Sequence, residues 1–196
     1  MEDYLFIVRY CIEGSNKRVK PLFVMAIDFA KVFNSVNRVA LLRTLMWHGC
    51  DLYLIQVVTE LCTGDCIEIF QGELRVGQME VSNGIWQGCT GSPQLFVMIV
   101  NMIIREILDS TVGYRDEALY IPALFFADDG LLMANSRKQA EQLLDMMRDA
   151  AGRCGLDMND MKSKCEIFNY RGALIERLKR MEVEKQLRYL GVTVVN

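Results

Sequence analysis

Residues 124–134 read LFFADDGLLMA. Nearly every side chain in this stretch suits a buried strand, yet two neighbouring carboxylates, Asp128 and Asp129, stand in its middle. Taking a charge out of water costs roughly 2–5 kcal/mol even after relaxation, unless a partner offsets it. The chain must therefore supply a compensating cation, or present these acids to solvent at an edge.

The chain has 196 residues, 52% hydrophobic and 24% charged, enough for one substantial core. No linker-like or low-complexity run divides it, and no repeat of solenoid period is present. Seven cysteines at 11, 50, 62, 66, 89, 154 and 165 form no CxxC pair, and His48 is the sole histidine, which excludes a zinc finger. Scattered through apolar segments, they read as buried free thiols, which suits a reducing intracellular compartment. The N-terminus MEDYLFIVRY lacks the basic lead-in of a signal peptide. The longest apolar run, LFVMIVNMII, is about half a membrane span and reads as a buried helix, so no membrane partner is expected. A net charge of −3 and a pI near 5.3 count against a nucleic-acid partner.

Along the chain, residues 3–13 read as a helix, and LFVMAIDF (22–29) as a central strand ending on Asp28. Ser35 or Asn34 is the expected cap of a helix through VNRVALLRTLMWH, closed by Gly49. LYLIQVVTELC is a second helix. CIEIF and VGQMEV alternate with period two around QGEL and predict a hairpin. Ser92 and Pro93 open an apolar helix to about Leu108. Strands at 120–127 and 130–134 flank the two aspartates. SRKQ (136–139) is a capping box for a helix with Ala140, Leu143, Leu144, Met147, Ala151 and Cys154 on one face, ended by Gly155. CEIFNY is a strand, ALIERLKRMEVE a short helix, and QLRYLGVTV a closing strand. Irregular mixing of strands and helices predicts an α+β fold, a largely antiparallel sheet backed by helices.

Asp28, Asp128 and Asp129 all lie at ends of apolar strands. If those strands are neighbours, the carboxylates converge on one rim, where like charges raise one another's pKa unless cations intervene. Hard divalent ions with oxygen ligands resolve this. Mg²⁺ takes one or two carboxylates plus substrate phosphates, and two such ions about 3.5–4 Å apart can clamp an in-line phosphoryl transfer. The pair alone fits a solvent-facing hairpin turn better. The surrounding motifs decide otherwise.

In order along nearly the whole chain, those motifs resemble the reverse transcriptase family. IDFAKVFNSV is similar to its first palm motif, GIWQGCTGSPQLF to its second, and LFFADDGLLMA to its aromatic-Ala-Asp-Asp signature. CGLDMNDMKSK matches the Gly-Leu-x-x-Asn-x-x-Lys stretch, and LRYLGV the primer grip. The flavour is closest to non-long-terminal-repeat retroelements. Three departures within the motifs stand out: Asn34 replaces the usual second Asp of the first motif, Trp86 stands where a basic residue commonly precedes the Gln, and Thr90 and Gly91 replace Pro-Leu.

The resemblance implies an RNA-directed DNA polymerase with a palm-type sheet and partial fingers over residues 1–196, the N-terminal fingers strands and the thumb being expected outside them. It implies two Mg²⁺ ions, or Mn²⁺, on Asp28, Asp128 and Asp129, with Lys162 as the acid that protonates pyrophosphate. Phe29, Phe33, Gln87 and Gly88 would meet the nucleotide, Phe33 crowding the sugar 2′ position. Tyr189, Leu190 and Gly191 would contact the primer. The partners implied are an RNA template, a DNA primer and deoxynucleoside triphosphates, with oligomeric state left open and a nuclear location if the element is eukaryotic. The alternative is a non-catalytic remnant that binds nucleic acid or serves as a structural piece. A phosphoacceptor receiver domain is excluded by order, because its acidic pair comes first in the chain.

Overall fold

The computed structural model describes residues 2–117 and 119–194. Helix α1 (Glu2–Arg18) carries Glu2 and Asp3 in its first turn and Lys17 and Arg18 in its last, matching the helix dipole. Next come β1 (Leu22–Ile27), the short β2 (Phe29–Ala30) and the single turn α2 (Val32–Ser35). Helix α3 (Arg38–Trp47) starts where the Asn37 side chain accepts the Ala40 N–H, and α4 (Leu52–Cys62) where Asp51 accepts the Tyr53 N–H. A hairpin of β3 (Cys66–Gln71) and β4 (Leu74–Glu80) precedes the long helix α5 (Ser92–Asp109). Then follow β5 (Tyr114–Arg115), β6 (Tyr120–Ile121), β7 (Ala123–Phe126), β8 (Asp129–Ala134) and α6 (Arg137–Arg153). The chain continues through β9 (Asp157–Met158), β10 (Lys164–Phe168), β11 (Arg177–Leu178), β12 (Met181–Val183), β13 (Leu187–Tyr189) and β14 (Val192–Val194).

The central sheet has the order β11-β12-β10-β1-β8-β7, antiparallel throughout except for β10 with β12. Strand β1 is buried on both faces, which explains its unbroken apolar run. Phe23, Met25 and Ile27 face one core together with Leu132 and Ala134 of β8, packed against α3, α5 and α6. Leu22 and Val24 face a second core with Leu131 and Met133, covered by Val8, Cys11 and Ile12 of α1 and by Leu187 and Tyr189 of β13. The fold is the expected palm-like α+β sheet backed by helices.

Several local expectations change. The strand expected at 120–127 is interrupted at Pro122: β6 pairs with β5, while β7 pairs with β8. Proline has no N–H to give a ladder, and here its carbonyl takes the Met133 N–H at 2.9 Å. Residues 173–184 hold no α-helix; β11 and β12 form a tight hairpin there, because β12 finds an edge beside β10. Residues 186–194 are likewise a hairpin, turned at Leu190 and Gly191, both at positive φ. Asn37, not Asn34 or Ser35, caps α3, and Ser92 lies inside α5 rather than capping it. Of the cysteines, only Cys11, Cys154 and Cys165 are buried. Cys50 and Cys62 are half-buried, while Cys66, on the hairpin, and Cys89, in a loop, are exposed. Among the described residues no helix is long and apolar enough to cross a membrane.

One acid sits within the second core. Glu166 on β10 is 4% exposed, and its Oε2 accepts the Leu187 N–H at 2.9 Å, which docks β13 onto the sheet. Burial pushes its carboxyl above the ordinary range, and the Leu187 N–H only partly opposes that. A raised folded-state pKa contributes stability that is present below the unfolded pKa and lost as pH climbs through the folded one. Glu166→Gln, which keeps an acceptor for Leu187, should therefore melt close to wild type near pH 4 and progressively above it towards neutrality. Thermal melts across that range test this; a constant offset would disprove it.

Candidate active site

Strand alternation decides which carboxylates can meet. Leu22, Val24 and Ala26 point to the α1 side of the sheet, and Asp28 continues that series just past the end of β1. On β8, Leu131 and Met133 share that side, and Asp129 is the preceding member. Ile27 pairs with Gly130, so the antiparallel register sets Asp28 opposite Asp129. Both line one cavity of about 160 Å³ with Lys162, Arg188, Tyr189 and Leu190.

Asp28 is gripped through its backbone. Its N–H donates to Ser163 Oγ at 3.0 Å, and its carbonyl accepts the Asn159 N–H at 2.8 Å. The Asn159 carbonyl takes the N–H groups of Lys162 and Ser163, at 3.2 and 2.8 Å, closing a turn that carries Lys162 into the cavity wall. Ser163 is fully buried. The Asp28 carboxylate is left with Oδ2 buried and without a hydrogen-bond partner.

The other acids come from the β7–β8 hairpin. Phe126 pairs with Asp129, leaving Ala127 and Asp128 as a two-residue turn. Both aspartates are exposed while residues 130–134 are buried, so the strand-like run keeps its apolar part inside and its acids at the lip. Gly130 is required, since a Cβ there would lie 2.3 Å from the Phe125 ring. Ala127 holds φ at 55°, in the left-handed region that disfavours any side chain.

Asp129 has a raised pKa, from burial first, then from the charges of Asp128 and Asp28. The Tyr189 hydroxyl, buried and without a partner, is pushed up by burial and then by Asp129. Lys162 and Arg188 are both exposed, and neither forms an ion pair among the described residues. Asp128 does not line the cavity, and among the described residues no group of three or more Asp, Glu, His or Cys is arranged to hold a metal ion. The donors present are all oxygen, and an orphaned buried carboxylate oxygen beside a second carboxylate suits a hard divalent cation. Asp28 and Asp129 thus fit such an ion as a pair, with Asp128 one position away in the turn.

The remaining expected residues divide. Phe33 is half-buried with its ring 5.7 Å from Phe96, and its carbonyl accepts the Ile85 N–H at 2.7 Å, joining the first and second motifs. Gln87 and Gly88 are exposed, Gly88 with φ 86°. Phe29 is 7% exposed and stacks on Phe125 in the core, so its backbone is the part open to a ligand. Tyr189 is 3% exposed and belongs to the second core; Leu190 and Gly191 are the more accessible part of that segment. Reading the sequence overlooked Asn159 and Ser163 as anchors of Asp28, and Arg188 as a second cation. All three lie inside motifs quoted for other residues.

Comparison with known proteins bears on the family and the fold. The sequence model of the family described as reverse transcriptase (RNA-dependent DNA polymerase) matches residues 5–194. The chain is 25% identical over 189 residues to the Retrovirus-related Pol polyprotein from type-2 retrotransposable element R2DM of Drosophila melanogaster, covering 96% of this chain and 17% of that protein. It is 26% identical over 189 residues to the corresponding polyprotein from type-1 element R2 of Bradysia coprophila, covering 88% of this chain and 21% of that one. It therefore spans about a fifth of the length of these curated relatives. Telomerase from Candida tropicalis, solved with the TWJ fragment of telomeric RNA, superposes with TM-score 0.71 at 12% identity over 96% of this chain and 30% of that one. Candida albicans telomerase gives 0.60 at 10% identity over 100% and 32%. At such identities the likeness speaks for the fold alone.

Replacing Ala127 by Gly removes the Cβ penalty at the turn, less the extra backbone entropy of glycine. Denaturant unfolding should gain ~0.5–1 kcal/mol. A loss instead would mean that the alanine methyl contributes packing that outweighs its strain.

Proposed function

The chain belongs to the reverse transcriptase (RNA-dependent DNA polymerase) family, and from that premise we propose that it carries the nucleotidyl-transfer centre of a retroelement polymerase. It adds deoxynucleotides to a DNA primer 3′ end on an RNA template, as a palm with part of the fingers. The observation that carries this reading is the juxtaposition of Asp28 and Asp129, with the buried Asp28 Oδ2 left without a partner.

In this proposal Asp28, Asp129 and Asp128 hold Mg²⁺, two ions in the full assembly, and Mn²⁺ suits the same oxygens. Bound there, the ions would lower the pKa of the primer hydroxyl and neutralise charge on the phosphates. The primer 3′ hydroxyl gives up its proton to solvent, and its oxygen forms its bond to the α-phosphorus as the bond from that phosphorus to the β-phosphate bridging oxygen breaks. Lys162, in the cavity wall, supplies a proton to the departing pyrophosphate. Arg188 adds positive charge on the same wall. Phe33 crowds the 2′ position of the incoming sugar, Gln87 and the backbone of Gly88 meet the nucleotide, and Leu190 with Gly191 supports the primer end. Asn159 and Ser163 act by positioning Asp28.

The non-catalytic remnant is kept as a second reading on one observation: among the described residues the three carboxylates do not form a ligand cluster. Mg²⁺ titration followed by thermal melting separates the two. On the first reading millimolar Mg²⁺ raises the melting temperature, Asp28→Asn abolishes that rise, and any primer extension by this 196-residue stretch is weak and lost in the same variant. A wild-type melt indifferent to Mg²⁺ and Mn²⁺ would favour the remnant.

Ser163→Ala removes the hydroxyl that holds the Asp28 N–H. Outer-shell anchors of this kind are worth about 10–100-fold in metal affinity, and a loss in that range is expected. Unchanged Mg²⁺ affinity would mean that the Asn159 contact alone fixes Asp28.

A further inference from the structure

Two of the positions at which the sequence departs from the family pattern, Asn34 and Trp86, line one cavity of about 540 Å³ at the base of the β3–β4 hairpin. Trp86 is locked there. Its indole N–H donates to Asp65 Oδ2 at 2.8 Å, and the Arg38 guanidinium lies over the ring at 5.5 Å from its centre. Arg38 is itself immobile: it is 8% exposed and donates to the carbonyls of Gly84, Cys62 and Val81, at 3.0, 2.6 and 2.9 Å. It also pairs with Asp65 at 2.7 Å. The ring is thus held on one edge and one face, yet stays partly exposed.

Around it, Asn34 and Asn83 line the cavity, and their side-chain amides make no hydrogen bond among the described residues. Ile67 and Met79, cross-strand partners on the hairpin, add an apolar wall, each about half exposed. The charged groups present are Arg38, already paired with Asp65, and Glu80. That balance repels phosphate. A rigid aromatic face with apolar side walls and amides that both donate and accept suits a flat, uncharged heterocycle with hydrogen-bonding edges.

We infer that this cavity takes one unpaired nucleobase of the RNA template, stacked on Trp86 and read at its edge by the amides. The inference rests on the proposed template-handling function, and it gives Trp86 and Asn34 a joint role.

The test uses the full chain with Trp47→Phe, which leaves Trp86 as the single tryptophan. Trp47 is 54% exposed on α3, so its loss spares the core. Titration with single-stranded oligoriboadenylate, in EDTA and without nucleotide, should quench Trp86 emission saturably, in step with fluorescence anisotropy of the labelled RNA. An abasic oligomer of equal length should bind about tenfold more weakly and leave the emission unchanged. Trp86→Leu should weaken oligoriboadenylate binding roughly tenfold while Trp86→Phe retains most of it. Asn34→Asp, which leaves the Trp86 lock intact, should also weaken it. Binding that leaves Trp86 emission and its acrylamide accessibility unchanged, equal affinity for the abasic oligomer, or no RNA binding would overturn the inference. Because no metal or chemistry enters the assay, loss of primer extension with quenching intact would count against the catalytic proposal alone.

Discussion

The register of β1 against β8 is enforced from both faces of the sheet. Phe23, Met25 and Ile27 can enter the helical core, and Leu22 and Val24 the α1 core, only if Leu132 and Leu131 sit on the matching sides. A slip of one residue would exchange the faces of an entire strand buried on both sides. Gly130 adds a local pin, because Phe125 occupies the space of any side chain there. Within that register Asp28 and Asp129 have no alternative but to meet.

Bringing them together is electrostatically unfavourable in the protein alone. Asp129 has a raised pKa, and Asp28 keeps a buried oxygen without a donor. Two further expenses lie nearby: Ala127 in a left-handed turn and a buried Tyr189 hydroxyl without a partner. Strain and unmet polar groups persist where surrounding packing over-determines them. Here the turn of residues 159–163 and the β13–β14 hairpin supply that packing. The same two segments bring Lys162 and Arg188 to the acids.

The β3–β4 hairpin has a different economy. Twelve of its thirteen strand residues are exposed and one is half-buried, and a lone two-stranded ribbon is marginal in water. Its attachment is polar and lies at its base, where Arg38 ties α3 to the end of α4 and to the segment leading into Trp86. A buried cation with all three of its nitrogens donating is a directional anchor, whereas apolar contact alone would permit sliding. This fixes Trp86 and the adjacent Gln87 relative to Phe33.

Much of this was legible in the order of residues. The double-sided burial of 22–27, the amphipathic face of α6, the Ser136 cap, the hairpin around Gly72 and the acids at strand ends all follow from periodicity and local chemistry. Those signals act within a few residues, and they survive in the fold. What failed was decided by distant partners: residues 173–184 have a helical composition but form strands because β10 offers an edge. Pro122 divides a run that looks continuous, so β6 pairs with β5 and β7 with β8. Sequence alone therefore determined the family, the strand faces and the placing of the acids at strand ends. Only tertiary structure decided that Asp28 shares a cavity with Asp129, that Ser163 and Asn159 hold its backbone, and that Asn34 and Trp86 line another cavity. Each of those depends on contacts between segments tens of residues or more apart, where neither spacing nor composition specifies a distance.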